Sequence, residues 1–334
     1  SDLIVPLFKD PHIVDITFPY TKDFKKELHI PKDALYKGKP RSRIAYLCAS
    51  KRMDWEPVAW TEFDGKNIVF TDIQKGPVMR VATYERGRLR FWTDPFEINV
   101  SNEFHFFTPS DSVQDVTLFA KYTLRADEMF LNRMIGGTFE GSNDPDFREK
   151  EVLYLINEKP KRLQTVVQSY SSKSYRYVRY IGPKDSHCNI AEAAFYTPND
   201  TASLKGKVIG TPGCFQKDGS HEYTNVFDGD VTTSFDYIEP SGGWSGLDLG
   251  TPKQIGRIVY TPRSYDNYIR SGDDYELFYC ARRNNWKSLG DQRSKADSLI
   301  YIKIPVNALL LLCNNTRGIQ ERIFVYTAAE QIWK

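Results

Sequence analysis

The sequence predicts an all-β protein built from several sandwich modules. Aromatic residues make up 14% of the chain, and they lie among Val, Ile and Thr, which strands favour. Short alternations of apolar and polar residues recur at even spacing, without long helical periodicity. The length of 334 residues is enough for two or three domains of ordinary size.

An N-terminal β-sandwich, immunoglobulin-like or similar, is predicted for residues 11–116. Turn signals at Asp64-Gly65, Lys75-Gly76-Pro77 and Arg86-Gly87 separate short alternating stretches. Such spacing is typical of a sandwich of roughly a hundred residues. The predicted strands are His12–Pro19, Arg43–Cys48, Asn67–Asp72, Val78–Tyr84 and Pro95–Val100.

A faint internal repeat predicts two related modules after the sandwich, at 117–198 and 199–334. The phrases at 121–125, 137–141 and 190–195 recur in the same order at 259–263, 273–277 and 319–324. Repeated order is a stronger signal than any one phrase. The turn-rich stretch Pro198–Ser203 is the expected junction. Only the second copy has a long prelude, so we expect the middle module to be abbreviated or to borrow strands from its neighbour.

Charge, hydropathy and the supply of reactive side chains argue against several functions. The chain has 45 basic and 43 acidic residues with no block of one sign, which disfavours nucleic-acid binding. No apolar run reaches the roughly 18 residues of a membrane span. His187-Cys188 is the only adjacent His/Cys pair, and neighbours on a regular strand face opposite sides, so no catalytic dyad is expected there. We therefore predict that the chain is not an enzyme.

The five cysteines are few and odd in number, and they form no CxxC or Cys/His metal motif. We expect buried free thiols, with a Cys280–Cys313 bridge as the alternative. The chain begins at Ser1 without an initiator Met, and we expect a fragment of a longer protein.

Asp228-Gly229-Asp230 with Thr233 is the candidate cation site. Calcium takes about six to eight oxygen ligands, and a tight turn offers carboxylates and carbonyls within a few residues. The alternative is a plain turn, because Asp-Gly is a common turn signal and Asp bonds its own backbone.

The loop Pro262–Arg270 is the candidate ligand site. Forked polar groups beside aromatic rings suit the hydroxyls and ring faces of sugars. The alternative is a solvated loop with one arginine held by a carboxylate. Trp244 follows the flexible Ser241-Gly242-Gly243 and could stack on a sugar, although packing in the core is favoured. The candidate residues are Arg263, Tyr265, Asp266, Asn267, Tyr268, Arg270 and Trp244.

The phrases Val226–Asp236 (VFDGDVTTSFD), Gly243–Gly250 (GWSGLDLG) and Ile255–Tyr260 (IGRIVY) resemble the discoidin family, also called coagulation-factor type C domains. This resemblance implies a galactose-binding-like jelly-roll of about eight antiparallel strands, with a ligand site on loops at one end and a structural calcium. It adds Glu321, from the last strand, to the calcium ligands. Glu192 occupies the matching place in the earlier copy without a DGxxT partner, so no second calcium is expected.

A second resemblance covers nearly the whole chain. The phrases at 133–147, 175–183, 188–196 and 321–333 are similar to the region behind the catalytic domain in large Bacteroidetes surface proteins of the transglutaminase-like group. This implies a noncatalytic accessory region of a secreted or cell-surface protein, which binds a glycan or another surface ligand and follows a catalytic domain of the same protein. The alternative is a structural spacer that orients that absent domain.

Overall fold

The computed structural model describes residues 24–38, 40–50, 52–63, 67–123, 125–283, 286–317 and 321–334. Within these residues, 24 strands form antiparallel sheets, and strands make up 49% and helices 4% of the structure. The predicted all-β fold is confirmed. None of the described helices is long and apolar enough to cross a membrane.

The first strands are β1 (Phe24–His29), β2 (Ile44–Ser50), β3 (Glu56–Glu62), β4 (Val69–Gln74), β5 (Val78–Glu85), β6 (Arg88–Phe91), β7 (Phe96–Ile98), β8 (Phe104–Phe106) and β9 (Val113–Leu118), with a 3-10 helix at Lys32–Ala34. The helix α1 (Arg125–Asn132) follows, then β10 (Thr138–Ser142), β11 (Lys150–Leu155), β12 (Thr165–Gln168), β13 (Ser174–Ile181), β14 (Cys188–Tyr196) and β15 (Lys207–Gly210).

A second 3-10 helix at Tyr223–Phe227 precedes β16 (Phe235–Asp236), β17 (Trp244–Gln254) and β18 (Arg257–Pro262). The last strands are β19 (Asp274–Cys280), β20 (Trp286–Arg293), β21 (Leu299–Pro305), β22 (Leu310–Asn314), β23 (Ile323–Thr327) and β24 (Glu330–Trp333).

The chain divides into two compact units. Unit 1 contains the described residues up to Thr117 together with Asp273–Arg293 and Ile300–Lys334, and unit 2 contains Leu118–Gly272 and Ser294–Leu299. Thr117 is the last residue of the first segment of unit 1, and Pro198–Ser203 lies inside unit 2. Residues 199–334, predicted to form the last module, are divided between the two units.

Unit 1 is built around a six-stranded sheet with neighbours β3-β2-β5-β7-β8 and with β6 beside β5. Its strand β2 is buried on both faces. Ala45 and Leu47 pack in one apolar cluster with β1 and β4, whereas Cys48 packs in a second cluster with Leu311 and Ile323. The second cluster includes residues of the five-stranded sheet β20-β19-β22-β23-β24. A central layer explains why β2 is almost continuously apolar.

Unit 2 is a sandwich of a five-stranded sheet, β11-β10-β13-β17-β15, and a four-stranded sheet, β12-β18-β14-β16. One apolar core lies between them and includes Phe139, Val178, Phe195, Leu247 and Ile258. Strands from both copies of the predicted repeat pair directly, β13 with β17 and β14 with β18. Strands from the two predicted modules therefore lie side by side in the sheets of unit 2.

An isolated antiparallel β-bridge between Ala120 and Tyr268 joins the two ends of the long segment of unit 2. The Lys121 amide donates to the Asn267 carbonyl at 2.8 Å, and the Ile269 amide donates to the Phe119 carbonyl at 3.0 Å. These bonds hold the two ends of the segment against each other within the unit.

Several local predictions have separate outcomes. His12–Pro19, Asp64-Gly65 and residues 319–320 of the repeat lie outside the described residues. All five cysteines are free. Cys280 and Cys313 lie on adjacent strands, but Cys313 pairs with Glu276, four positions from Cys280. That offset is about 13 Å along a strand, which is too far for a disulfide.

Candidate functional site

The first candidate region, which we call the turn site, is the Asp228-Gly229-Asp230 turn of unit 2 with Glu192. Gly229 has φ +85°, a left-handed conformation that glycine adopts without strain. The Asp230 amide donates to Asp228 Oδ1 at 2.8 Å, and the Thr233 hydroxyl donates to Asp228 Oδ2 at 2.8 Å. Both oxygens of Asp228 are thereby oriented within the turn.

Glu192 on β14 is the glutamate that meets this turn. The Gly229 amide donates to Glu192 Oε1 at 2.8 Å. Burial and a hydrogen bond with the Asp228 carboxyl raise the pKa of Glu192 to about 8. Two carboxyl groups that face each other in a partly buried site repel when both are ionised, so one of them retains its proton.

The resemblance adds Glu321 to the turn site, and this assignment stays a prediction. Glu321 belongs to unit 1, whereas the turn belongs to unit 2. Strand β14, which carries Glu192, pairs with β18 and packs against the 3-10 helix Tyr223–Phe227 that leads into the turn. The phrases around Glu192 and Glu321 are similar, so the sequence alone did not show that Glu192 contacts the turn.

The donor atoms of the turn site are of the chemical type that a hard cation prefers. It offers the carboxylates of Glu192 and Asp228, the Thr233 hydroxyl and the carbonyls of a tight turn, which are all oxygen ligands. No group of three or more His, Cys, Asp or Glu side chains converges anywhere among the described residues. Carbonyl and hydroxyl oxygens would therefore supply most of the coordination.

The second candidate region, which we call the loop face, comprises residues 262–270 with Asp236, Asn189 and Phe130. Arg263 follows β18 directly, and its Nη1 lies 2.5 Å from Asp236 Oδ2. Its guanidinium also lies 4.2 Å from the centre of the Phe130 ring. The side chains of Arg263 and Asp236 are 12% and 11% exposed, so this arginine is held by a carboxylate, the alternative weighed for the loop.

Arg270 is also paired within the loop, since its Nε lies 2.5 Å from Asp266 Oδ1. Arg270 further lowers the pKa of Asp230, behind the larger effects of the hydroxyl and amide hydrogen bonds from Thr232. The loop face and the turn site both belong to unit 2.

The remaining loop residues differ in exposure. Tyr265 is 45% exposed, whereas Asn267 and Tyr268 are buried. The Tyr122 hydroxyl donates to the Tyr265 carbonyl, and the Phe130 and Tyr265 ring centres are 6.0 Å apart. The Tyr265 ring is therefore exposed to solvent, while the Tyr265 backbone is held by the hydrogen bond from Tyr122.

In the described part of the chain, two buried amide oxygens at the loop face have no hydrogen-bond donor. Neither Asn189 Oδ1 nor Asn267 Oδ1 has a hydrogen-bond partner among the described residues. The Asn189 carbonyl accepts from the Arg263 amide at 3.0 Å, so Asn189 lies next to the predicted loop. A buried polar atom without a partner marks a place for water or a polar ligand. Asn189 escaped the sequence reasoning because no local pattern marks a buried asparagine.

The backbone beside Asn189 is left-handed at three successive residues, with φ of +56° at His187, +73° at Cys188 and +54° at Asn189. This conformation is rare for residues other than glycine. The strand is irregular here, so the alternation used to argue against a dyad does not apply. His187 Nδ1 contacts the Tyr237 carbonyl at 2.8 Å, and Cys188 Sγ donates to the Gly243 carbonyl at 2.9 Å.

Trp244 lies neither in the core nor free in solvent. It is three positions from Leu247, a core residue, and therefore faces the outer side of the sheet. There its ring centre lies 5.7 Å from that of Phe147 and 5.2 Å from the Arg179 guanidinium. The preference for a core position is corrected, because the Phe147 loop covers this outer face.

Arg176 and Arg179, whose interleaving with tyrosines was assigned to a strand, lie on β13 and pair with carboxylates on the neighbouring strands β17 and β10. Arg179 contacts Glu140 through Nε at 2.8 Å and Nη2 at 2.7 Å. Arg176 contacts Asp248 through Nε at 2.8 Å and Nη2 at 2.9 Å. Their charges are therefore engaged within unit 2.

Comparison with known proteins adds no relative. No protein-family model, no curated protein and no solved structure matches the chain.

Proposed function

We propose that this chain is a noncatalytic binding region and that the loop face of unit 2 holds a carbohydrate. One observation supports the proposal: the loop that carries the solvent-exposed Tyr265 ring also carries polar groups that are already fixed in place. Ordered arginine–carboxylate pairs and a held backbone reduce the entropy lost when a ligand binds.

The chemistry of the loop face suits a sugar. Arg270 and Asp266 offer donors and acceptors side by side, as vicinal hydroxyls require. The Tyr265 ring offers a flat apolar surface for the C–H face of a pyranose. The unpartnered oxygens of Asn189 and Asn267 provide acceptors for hydroxyl groups or for ordered water.

We further propose that the turn site binds a structural calcium ion, with Glu192 in the role that was expected for Glu321. The facing carboxyls of Glu192 and Asp228 support this, because a divalent cation would neutralise both groups, whereas burial and the hydrogen bond with Asp228 now raise the pKa of Glu192. The ion would join β14 to the turn and so stiffen the support of the loop face.

The wider setting is proposed from the resemblances alone. We assign the chain to a secreted or cell-surface protein in which it accompanies a transglutaminase-like catalytic domain. The second candidate function is a structural spacer for that domain. It is favoured by one observation, that Arg263 and Arg270 already have carboxylate partners within the chain.

A glycan array, followed by calorimetric titration of any hits, tests the carbohydrate proposal. Tyr265→Ala should remove the hits because it deletes the exposed ring. Tyr170→Ala is the matched control, since Tyr170 is also an exposed tyrosine of unit 2, at 93%. Its neighbour Ser169 bonds Gly256, at the start of β18, whereas Tyr265 follows the end of that strand. The two rings therefore lie at opposite ends of β18.

Both variants should keep the melting temperature of the parent chain, since neither ring is buried. Hits that survive Tyr265→Ala would contradict the assignment to the loop face. A blank array with a well-folded chain would favour the spacer.

A further inference from the structure

A cleft of about 780 Å³ lies in unit 1 and shares no residue with the turn site or the loop face. It is framed by residues 33–37, by residues 109–111 and by residues 281–283, which follow β19. Its volume falls within the roughly 300–1,000 Å³ that is usual for sites of small molecules.

Basic side chains outnumber acidic ones in the lining of this cleft. Among the described residues, neither Lys37 nor Lys287 makes an ion pair, and Arg283 donates from Nη2 to the Lys37 carbonyl at 3.0 Å. That bond holds the Arg283 guanidinium at the cleft without neutralising it. The charged lining residues are Lys37, Arg282, Arg283 and Lys287 against Asp33 and Asp111.

A buried cation behind the lining adds to this positive charge. Arg80 is fully buried, and in the described part of the chain it forms no ion pair. Its Nε donates to the Thr93 carbonyl at 3.1 Å and its Nη2 to the Arg282 carbonyl at 2.5 Å. The Asp94 carboxylate offsets part of the positive charge at the cleft, since Asp94 Oδ2 lies 3.4 Å from Arg282 Nε. Solvent screens a buried charge weakly, so the field of Arg80 reaches the cleft.

Aromatic rings lie next to these cations. Tyr279 and Lys287 are directly opposite each other on β19 and β20, and residues so paired project from the same face of a sheet. The Tyr36 ring lies 5.5 Å from the Arg283 guanidinium, and its hydroxyl donates to Asp94. The cleft therefore presents fixed ring surfaces beside positive charge.

We propose that this cleft binds an acidic oligosaccharide, with its carboxylate or sulfate held by Arg283 and Lys287 and a sugar ring against Tyr279. A guanidinium donates paired hydrogen bonds to a carboxylate or sulfate, and an ammonium group adds a point charge. The lining combines polar and apolar surface, which suits the hydroxyl groups and ring faces of a sugar. This inference goes beyond the carbohydrate proposal for the loop face, because the cleft belongs to the other unit.

Calorimetric titration of the full chain with trigalacturonate tests the proposal. Its methyl ester is the matched neutral ligand, a sulfated disaccharide distinguishes sulfate from carboxylate, and adenosine monophosphate serves as a non-sugar-acid anion. Lys287→Gln and Arg283→Gln should each weaken binding of the acidic sugar about tenfold, as expected for loss of one charge-assisted contact. Lys26→Gln is the control, since Lys26 is an exposed lysine of unit 1 outside the cleft.

The expected result is binding of at least one acidic sugar that weakens with added salt and persists in Tyr265→Ala. The proposal is overturned if neither acidic sugar binds at low salt, if the methyl ester binds equally well, or if only the nucleotide binds. It is equally overturned if Lys26→Gln weakens binding as much as Lys287→Gln does. The melting temperature of each variant shows whether lost binding reflects unfolding, and Lys287→Gln, at an exposed strand position, provides the decisive reading if Arg283→Gln unfolds.

Discussion

The backbone amide of Gly229 donates a hydrogen bond of 2.8 Å to Oε1 of Glu192, a residue 37 positions earlier in the chain. This contact joins the aspartate-glycine turn to a strand of the other predicted repeat. It also brings two carboxyl groups together, because Asp228 shares a hydrogen bond with Glu192. The stability of unit 2 should therefore depend on the protonation of Glu192.

In the presence of a chelator, the free energy of unfolding should fall as the pH rises from about 4.5 to about 8. The pKa of Glu192 is raised from 4.5 to about 8 in the folded state, so over this range the folded form keeps a proton that the unfolded form has lost. Raising the pH therefore favours unfolding. Thermal unfolding at a series of pH values measures this slope.

Glu192→Gln should flatten the slope, whereas the exposed Glu149→Gln should preserve it. Calcium should also flatten it, since the ion would replace the proton, and it should raise the melting temperature by mass action. An unchanged melting temperature with calcium at pH 8 would remove the calcium proposal. A slope that persists in Glu192→Gln would show that another group is responsible.

Arg263→Ala should destabilise unit 2 strongly rather than act only on ligand binding. It would leave Asp236 largely buried without its cation, and loss of one partner of a buried pair costs about 3–5 kcal/mol. Arg148→Ala is the control, because the Arg148 side chain is 76% exposed beside Asp146 and its loss should cost about 0–1 kcal/mol. Urea unfolding measures both, and equal effects would contradict this account of Arg263.

Arg179→Lys should destabilise the chain more than Arg176→Lys. Both arginines make two contacts with one carboxylate, and lysine cannot reproduce such a fork. The Arg179–Glu140 pair is buried beneath Phe147, so its loss should cost roughly 1–3 kcal/mol. Arg176 is more exposed, and its loss should cost about 0–1 kcal/mol. The comparison, again by urea unfolding, fails if the order is reversed.

The thiols should react slowly with a disulfide reagent in the native protein and fast in denaturant. Burial raises the pKa of Cys48 and Cys188 to about 12 and that of Cys280 to about 11, and only the thiolate is nucleophilic. Rapid loss of several thiols at pH 7 without unfolding would argue against this burial.

Local sequence patterns predicted the strands well because alternation is a local property. The turn at Asp228 was also found locally, since Asp-Gly and the hydroxyl of Thr233 form it within a few residues. The short helix α1 was missed, because eight residues with one apolar side carry little periodicity. Strand β2 was read as alternating, although both of its faces are buried.

Partner choice across the chain could not be predicted in this way. Glu192 and Glu321 occur in similar phrases, and only the pairing of β13 with β17 and of β14 with β18 brings the earlier glutamate to the turn. Pairing between distant strands depends on the packing of the whole core. The internal repeat predicted two modules and allowed for borrowed strands, but a repeat in the sequence does not specify which distant strands pair.

The bonds between Lys121 and Asn267 and between Phe119 and Ile269 bear on how such a chain can change over generations. A stretch whose two ends lie side by side can be gained or lost in a single genetic event, because the flanking cuts can be rejoined by a short bridge. The stretch from Leu118 to Gly272 therefore has the geometry of a segment inserted into another sequence.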